Sequence, residues 1–319
     1  MKNVIILTVD NDPSTDEVID WLYSFDWSFN VCRINNITEL KEDKASSLFG
    51  SKNLIWNRKY RHLVTSNENK ENTYDSELEL KDSFKNFSNN ESKVVIEYLI
   101  KSEKNLLIGN SEPFAENKPY QLEIAEQNGI NIPKTLVTNS KSELMQFINA
   151  NSGDLICKPL RNALMYMYNN QGYCTYTTQV NAAIIKELPD YFVPTLFQVQ
   201  IEKEFEIRTF YLYEQCWSMA IFSQQNDQTA VDFRMYNIDI PNRNVPYLLS
   251  KELEDKIKIL MKALRLNTGS LDFIQGTDGN IYFLEVNPEG QFGMVSYPCN
   301  YNIEETIARK IYDERKKSL

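Results

Sequence analysis

Short apolar runs alternate with amphipathic segments over the first third of the chain. Residues 3–9 (NVIILTV) form an apolar run that ends at the turn signal 10–13 (DNDP), which is typical of a buried strand. Ser14 and Glu17 then have the spacing of a capping box, and apolar residues within 18–22 follow at helical intervals. Further strands are predicted at 29–34, 53–56 and 105–108, and a helix at 92–102. This alternation predicts a small α/β domain with a parallel sheet over residues 1–112.

A polar stretch, 66–93, interrupts this domain. It is rich in asparagine and charge but also contains leucines and phenylalanines. An exposed loop followed by a helix is therefore expected there, rather than a free linker. We expect the domain boundary near 110–117.

The rest of the chain is predicted to form two further domains, 113–196 and 197–319. The first is another α/β unit, with helices from Pro119 to Gly129 and at 141–150, and strands at 134–138 and 155–158. The second is strand-rich, with strands at 196–201, 205–213, 216–223, 231–235, 269–275 and 280–286, and helices at 251–264 and 303–315. The turn 277–280 (TDGN) is a strong hairpin signal. The fold class is therefore α/β (α+β), with an antiparallel sheet in the last domain.

Composition excludes several classes of protein. The 319 residues are 42% hydrophobic with a formal net charge of −10, which argues for a globular chain and against a general nucleic-acid binder. The longest apolar runs are far too short for a membrane helix. The N-terminal apolar stretch runs into acidic residues without a small-residue cleavage site, so we expect no signal peptide.

Cysteine and histidine usage narrows the chemistry further. The five cysteines are scattered and form no CxxC motif, which predicts reduced thiols and a cytoplasmic protein. The single histidine, His62, cannot support a zinc cluster. Hydrolases that depend on a Ser-His-Asp or Cys-His arrangement are disfavoured for the same reason.

A trio of oxygen-bearing side chains is the strongest candidate for chemistry. Glu285 and Asn287 alternate along one strand, so they project from the same face. The predicted hairpin brings Asp272 of the preceding strand alongside them. Two carboxylates and one amide carbonyl suit Mg²⁺ bridged to phosphates. The flanking Leu284 and Val286 indicate a buried strand, where uncoordinated polar groups are costly; an ordinary polar strand face is the alternative.

Two lysines and one arginine are candidate phosphate-binding charges. Lys158 ends the predicted strand 155–158, where its ammonium can point at phosphate oxygens. Lys118 opens a helix after a loop. Arg208 shares a strand face with Glu206 and could brace a phosphoryl group or a carboxylate. Taken alone, each is explained equally well as a paired or surface charge, so the prediction depends on their combination with the trio.

The segment 197–208 is a candidate nucleotide-binding region. An apolar strand passes there into a charged turn, which can offer backbone edges to a purine and a carboxylate to a ribose. The residues assigned to nucleotide binding in this region are Gln198, Val199, Gln200, Ile201, Lys203 and Glu206. Neither GxxxxGK[ST] nor GxGxxG occurs in the sequence, so P-loop and dinucleotide-binding folds lack their motif.

In order and spacing, these features resemble the ATP-grasp superfamily over roughly residues 113–315. In that family a first lysine precedes a helix ending in G-I-x-x-P, here Lys118 and 129–133 (GINIP). A second lysine ends a strand as x-K-P, here Lys158. An aspartate on one strand and E-x-N-P on the next complete the pattern, here Asp272 and 285–288 (EVNP).

Within the superfamily the chain is similar to the graspetide synthetases, the microviridin-type peptide macrocyclases. The segments that carry this resemblance are 8–12 (TVDND), 55–58 (IWNR), 206–208 (EIR) and 287–292 (NPEGQF). The extension 293–301 (GMVSYPCNY) resembles the branch encoded beside SPASM-type partner proteins.

The chain departs from the superfamily pattern at two places. The loop that usually covers the phosphates is glycine-rich, but 160–176 contains only Gly172. An arginine often stands two residues before the metal-binding aspartate, and here that position is Ser270. These departures leave Arg161 as a substitute near the phosphates and Arg208 as the main charge-bracing residue.

The resemblance implies a ligase that phosphorylates Glu or Asp side chains of a ribosomal precursor peptide with ATP and closes ω-ester or ω-amide rings. Two Mg²⁺ ions would be held by Asp272, Glu285 and Asn287, the last also contacting nucleotide. Lys118 and Lys158 would bind nucleotide, and Lys158 and Arg208 would act in catalysis. Candidate contacts with the peptide are Arg161, Trp217 and Arg234.

Other functions stay open at this point. The chain could be an ATP-grasp ligase for free amino acids or a protein C-terminus, or a non-catalytic nucleotide- or peptide-binding module. The implied partners are the precursor peptide and a SPASM-type protein, with no nucleic acid and no membrane. The sequence leaves open whether the chain forms a homodimer.

Overall fold

The computed structural model describes residues 4–34, 53–59, 76–102, 106–109, 115–161, 165–169, 171–224, 239 and 241–316. These form two compact units, one of Met1–Ser111 together with Asn302–Leu319, the other of Glu112–Tyr301. The predicted strand at 231–235, with Arg234, and the histidine His62 lie outside the described residues. The division into three domains stays a prediction.

The first unit contains a four-stranded parallel sheet, as the sequence predicts. Its strands are β1 (Val4–Leu7), β2 (Val31–Ile34), β3 (Leu54–Asn57) and β4 (Leu106–Ile108), in the order β2-β1-β3-β4. Its helices are α1 (Pro13–Phe25), α2 (Ser76–Lys101) and α8 (Ile303–Lys316). Every residue of β1 is buried, because this strand lies in the interior of the sheet and apolar side chains cover both its faces.

The last helix, α8, belongs to this first unit, although in the sequence it directly follows the second unit. The rings of Phe25 in α1 and Tyr312 in α8 lie 5.6 Å apart. The Arg309 guanidinium stands 4.6 Å from the centre of the Phe25 ring. The apolar face predicted for 303–315 thus packs against α1, a long-range contact that helix periodicity alone does not specify.

Asp12 is the buried charge at the turn between β1 and α1. Its Oδ2 accepts hydrogen bonds from the hydroxyls of Thr8 and Thr15, both at 2.7 Å. The Nε of Arg58 lies 3.7 Å from Oδ2, and the Nζ of Lys59 lies 3.2 Å from Oδ1. Burial raises the pKa of Asp12, but Arg58, the two hydroxyls and Lys59 outweigh it, so the pKa lies below its usual 3.8.

The second unit has two antiparallel sheets and a hairpin. Its strands are β5 (Thr135–Ser140), β6 (Leu155–Lys158), β7 (Met165–Tyr168), β8 (Gln171–Cys174), β9 (Thr178–Val180), β10 (Tyr191–Val199), β11 (Lys203–Leu212), β12 (Gln215–Phe222), β13 (Arg243–Tyr247), β14 (Thr268–Gly276) and β15 (Ile281–Asn287). The strand orders are β5-β10-β6-β9 and β13-β12-β11-β14-β15, and β7 pairs with β8. Its helices are α3 (Lys118–Gln127), α4 (Lys141–Ala150), α5 (Ala182–Glu187), α6 (Lys251–Ala263) and α7 (Gly293–Cys299).

The core of this unit lies between the five-stranded sheet and the helices α3 and α6. The amphipathic face predicted for 251–264 is confirmed, since Ile257, Leu260 and Met261 of α6 are completely buried. Leu271 and Phe273 of β14 point into the same core. The residues that alternate with them point to the other face of the sheet, where the polar side chains lie.

The predicted elements differ from the observed ones mainly in length. Helix α2 begins at Ser76, so the helix expected within 66–93 is continuous with the one predicted at 92–102; the polar residues of 76–92 hide this continuity in the sequence. Strand β10 begins at Tyr191 and not at 196. The prediction began too late because Pro194 weakens the strand pattern of the first residues. The short elements β7, β8, β9, α5, β13 and α7 were not predicted. No helix in the described part of the chain is long and apolar enough to cross a membrane.

We predict that Asp12→Asn destabilises the protein by about 3–5 kcal/mol at neutral pH, because it removes the carboxylate that balances the buried Arg58 and the partly buried Lys59. Urea unfolding measures the difference. Asp16→Asn on the same helix is the matched control: Asp16 is 54% exposed and pairs with Arg33 at the surface, where such pairs contribute at most about 1 kcal/mol.

The effect of Asp12 also has a defined pH dependence. Its pKa is lowered in the folded state, so its contribution is present above the unfolded value of 3.8 and is lost as the pH falls through the lower folded value. The difference between wild type and Asp12→Asn should therefore shrink at acidic pH. This role of Asp12 would be contradicted if Asp12→Asn and Asp16→Asn lowered the free energy of unfolding equally. It would also be contradicted if the effect of Asp12→Asn did not change with pH.

Candidate active site

Charged side chains form a row across three neighbouring strands of the five-stranded sheet. Arg208 of β11 stands opposite Asp272 of β14, and Asp272 stands opposite Glu285 of β15. Residues directly opposite each other in antiparallel strands share a face of the sheet. Glu206 and Asn287, two residues along their strands, lie on the same face by alternation. The structure thus brings the predicted trio together with the two charges of the EIR segment.

An ion pair joins the first two members of this row. The Nη1 of Arg208 donates to both carboxylate oxygens of Asp272, at 2.7 and 2.6 Å. The side chains are only 8% and 14% exposed. Because both groups lose most of their hydration there, only close pairing of the two charges offsets the cost of desolvation. The Nε of Arg208 has no hydrogen-bond partner among the described residues.

A β-bulge shapes the strand that carries Glu285. The register between β14 and β15 shifts after Asp272, so that Phe273 pairs with Phe283 and Leu284 is the extra residue. Bulges re-aim side chains and are common beside active sites. Beyond the bulge, the Oδ1 of Asn287 accepts a hydrogen bond from the Glu289 amide at 3.0 Å. This contact fixes the Asn287 side chain and leaves Oδ1 a second lone pair.

Lys118 joins the row from helix α3. Its Nζ lies 3.2 Å from the Oε2 of Glu285 and donates to the carbonyl of Arg161. Asn117 caps the helix by accepting a hydrogen bond from the Tyr120 amide at 3.1 Å. The helix therefore begins at Lys118 and presents this lysine at its N-terminal end, where the helix dipole also favours anions.

A cavity of about 880 Å³, part of which is open to solvent, lies over the row. The predicted site residues that line it are Lys118, Lys158, Gln198, Val199, Ile201, Lys203, Glu206, Asp272 and Glu285. Three lysines and three carboxylates thus face the cavity, so its lining is formally neutral. A polyphosphate bound there would need cations that arrive with it.

Glu206 is the most deeply buried carboxylate of the site. Burial raises the pKa of Glu206, and the negative charge of Asp272 adds to the rise, although Lys203 and Ser223 favour the ionised form. Lys203 forms an ion pair with Glu206. The Oγ of Ser223 donates to the Oε1 of Glu206 at 2.9 Å. These contacts hold the carboxylate in one position at the cavity wall.

The apolar walls lie beside the end of β10. Pro133, Ile156, Val199 and Ile201 line this part of the cavity, as a flat aromatic base would require. Gln198 is buried there, and its Nε2 donates to the Thr135 hydroxyl at 2.9 Å.

Not every predicted site residue reaches the cavity. Gln200 does not line it; its Oε1 accepts a hydrogen bond from Gln179 at 2.8 Å. Arg208 and Asn287 are also outside the lining; Arg208 binds the lining residue Asp272, and Asn287 follows the lining residue Glu285 by two positions on β15. Lys158, at the end of β6, does line it.

Two of the three candidate peptide contacts, Arg161 and Trp217, do not line the cavity. Arg161 is exposed, and its Nε lies 2.9 Å from the Oε2 of Glu116. Trp217 is half-buried with its ring 6.0 Å from that of Phe210, which is ordinary aromatic packing. Arg234 lies outside the described residues. Their role in peptide binding stays a prediction.

Two hydroxyl residues were missed by the sequence analysis. Thr175 and Thr177 line the cavity just after the hairpin β7–β8. This hairpin occupies the place of the expected glycine-rich loop. The alternation T-Y-T at 175–177 puts both hydroxyls on one side of an extended segment, a signal that could have found them.

The donor set fits a divalent metal of the Mg²⁺ class. Asp272, Glu285 and Asn287 offer only oxygen atoms, as hard cations require. Within the described ranges no cluster of three His, Cys, Asp or Glu side chains suited to a metal occurs, so the predicted trio depends on its asparagine. Ser270, where the family has an arginine, is buried and donates to the Gln291 carbonyl at 3.0 Å.

Comparison with solved structures identifies the architecture. The chain is similar to the Chryseobacterium gregarium RiPP-associated ATP-grasp ligase in complex with ADP and a leader and core peptide, with a TM-score of 0.81 and 22% identity over 98% of this chain and 97% of that one. It is similar to the macrocyclase MdnC from Microcystis aeruginosa, bound with precursor peptide MdnA, with a TM-score of 0.76 and 25% identity over 98% and 100%.

A third similar structure is the ATP-grasp ligase PsnB, complexed with a phosphomimetic variant of its minimal precursor, Mg and ADP. The TM-score is 0.72, with 17% identity over 98% of both chains. No protein-family model and no curated protein matches the chain. The fold expected from the sequence is confirmed: over almost its whole length, the chain has the ATP-grasp fold of RiPP-associated ligases.

Proposed function

We propose that this protein is an ATP-dependent ligase that activates Glu or Asp side chains of a ribosomal precursor peptide and closes ω-ester or ω-amide rings. One observation carries the proposal. Asp272, Glu285 and Lys118 of the charged row line a cavity that also has apolar walls, and Arg208 pairs with Asp272 behind them. Charged residues beside apolar walls suit a nucleotide whose terminal phosphate is transferred to a carboxylate of the peptide.

The nucleotide has a place for each of its parts. The apolar end formed by Pro133, Ile156 and Val199 suits a purine. The buried Glu206 suits the ribose hydroxyls, since a fixed carboxylate accepts their hydrogen bonds. Lys118 and Lys158 line the cavity and suit the phosphates. Val199 and Ile201 line the cavity and would offer backbone groups to the base, whereas the Gln200 amide already donates to the Asp154 carbonyl.

The metal ions would be held by Asp272, Glu285 and Asn287. When bound, they supply the positive charge that the formally neutral cavity lining lacks, and so allow two anions to approach each other. The two carboxylates are at present engaged by Arg208 and Lys118. With a cation held by these carboxylates, Lys118 and Arg208 would be available to phosphate oxygens.

The reaction then proceeds in two balanced steps. The carboxylate oxygen of the peptide attacks the γ-phosphorus of ATP, the bond to the β–γ bridging oxygen breaks, and ADP leaves. A hydroxyl or amine of the same peptide attacks the acyl carbon and loses its proton, and inorganic phosphate departs. Arg208 and Lys158 stabilise the charge on the transferred phosphoryl group. Neither step demands a histidine or a cysteine.

The similar structures support a peptide as the substrate. MdnC is described as a macrocyclase bound with a precursor peptide, and the Chryseobacterium ligase was solved with a leader and a core peptide. A SPASM-type partner protein rests on the extension 293–301 alone. We also place the protein in the cytoplasm, because none of its five cysteines forms a disulfide.

Incubation with a candidate precursor tests the proposal. We expect short Thr/Glu- or Ser/Asp-rich peptides encoded near the gene to lose one water per link in mass spectra, with one ADP released for each. Consumption of free amino acids with ADP release would favour the alternative ligase. Mg-dependent nucleotide binding without turnover of any peptide would favour a non-catalytic module.

We predict that Asp272→Asn and Glu285→Gln each lower ADP formation at least about 100-fold, because each removes one carboxylate ligand while keeping the side-chain volume. Phosphate and ADP release measure the effect, with circular dichroism as a check of the fold. Glu252→Gln, on an exposed pair with Lys256 in α6, is the control and should keep full turnover. Full turnover in Asp272→Asn would refute the metal assignment.

We predict that Arg208→Ala lowers kcat by about 100-fold but changes the Kd of ATP by much less, because Arg208 acts on charge that develops during transfer. Arg208→Lys keeps the positive charge but lacks the planar guanidinium, so its kcat should lie between those of Arg208→Ala and the wild type. Steady-state kinetics and calorimetry separate the two quantities. An unchanged kcat, or a loss confined to ATP binding, would remove the catalytic role.

A further inference from the structure

A buried glutamine holds the strand that carries two of the proposed metal ligands. Gln121 of α3 is 1% exposed. Its Nε2 donates to the carbonyl of Val286 at 2.8 Å, and its Oε1 accepts from the Val286 amide at 3.0 Å. Val286 lies between Glu285 and Asn287. The side-chain amide therefore binds the main chain of β15 as a neighbouring strand would.

The outer edge of β15 explains why such a contact is needed. This strand is the last of its sheet, so only β14 pairs with it from within the sheet. At Phe283 the free edge is held by the Asn131 carbonyl, which accepts the Phe283 amide at 2.8 Å. At Val286 it is held by Gln121. The bulge residue Leu284 lies between these two points, so the backbone that re-aims Glu285 is fixed on both sides.

Helix α3 acts on this strand through two successive turns. Lys118 contacts the Glu285 carboxylate, and Gln121, three residues later on the same helix face, fixes the backbone that follows it. The Nε2 of Gln121 also donates to the Ala115 carbonyl, which ties the segment before the helix to the same point. The Gln121 amide thus makes three hydrogen bonds within the protein, two as donor and one as acceptor.

We propose that Gln121 is a positioning residue for the divalent cation, acting through the Val286 main chain on Glu285 and Asn287. The inference rests on the proposed function, in which these two residues are ligands. Outer contacts of this kind typically change metal affinity about 10- to 100-fold when removed. Simple protection of a sheet edge would change stability without changing metal affinity.

The test compares Gln121→Met with Gln127→Met, both in the full chain. Methionine keeps the volume of Gln121 but leaves both Val286 groups without the amide. Gln127 lies on the same helix, is exposed, and among the described residues its side chain bonds to Glu123. Mn²⁺ binding to the protein–ADP complex, followed by electron paramagnetic resonance without any peptide, measures metal affinity directly.

We expect Gln121→Met to weaken Mn²⁺ binding about tenfold or more, and to raise the Mg²⁺ concentration for half-maximal turnover by a similar factor, with kcat recovering at high Mg²⁺. Gln127→Met should match the wild type in both. Unchanged Mn²⁺ affinity in folded Gln121→Met would overturn the proposal. Recovery at high Mg²⁺ supports the proposal when circular dichroism shows that Gln121→Met is already folded without Mg²⁺, because a metal that binds the folded state would also rescue a merely unstable variant.

Gln121→Glu is the second variant, since it keeps the acceptor for the Val286 amide and loses the donors; we expect it also to weaken Mn²⁺ binding. If neither variant folds, Gln121 belongs to the fold and not to the site, and the proposal fails. Wild-type protein that binds Mn²⁺ and ADP but links no peptide would refute the proposed function and leave this inference standing.

Discussion

The site depends on paired charges that neighbouring strands hold largely out of contact with solvent. Arg208 and Asp272 are both almost completely buried, and neither would be tolerated there without the other. Their pairing is enforced by backbone register, since β11 and β14 put them directly opposite each other. The sheet thus does more than carry the ligands. It holds the carboxylates in one orientation before any nucleotide or metal arrives, which is the preorganisation that an electrostatic mechanism requires.

This arrangement also reconciles an acidic chain with a polyanionic substrate. The chain carries a net charge of −10, yet three lysines face the cavity together with three carboxylates. Long-range attraction by the whole protein cannot bring ATP to such a site. Binding must come from local contacts and from metal ions that accompany the phosphates. A formally neutral lining therefore favours the metal-bound nucleotide over the free one, because only the former brings its own compensation.

Sequence reasoning located the trio because its geometry is local. Glu285 and Asn287 are two residues apart on one strand, and the turn 277–280 with Gly279 at a φ of +83° fixes the hairpin that brings Asp272 alongside. The parallel sheet of the first unit followed from equally local signals. What could not be predicted is non-local: the pairing of Lys118 with Glu285, the hold of Gln121 on Val286, and the return of α8 to the first unit. Such contacts join residues that no periodicity relates.

Ser270, at a position where the ATP-grasp superfamily often has an arginine, has a physical consequence for the site. Ser270 is small and buried, so no cation stands two residues before Asp272 on its own strand. Arg208 reaches Asp272 from the neighbouring strand instead, with one nitrogen on both carboxylate oxygens. Because this arginine binds a carboxylate that lines the cavity, its position is coupled to whatever Asp272 binds. Asp272 would hold a cation beside the guanidinium, and the two positive charges together would stabilise the transferred phosphoryl group.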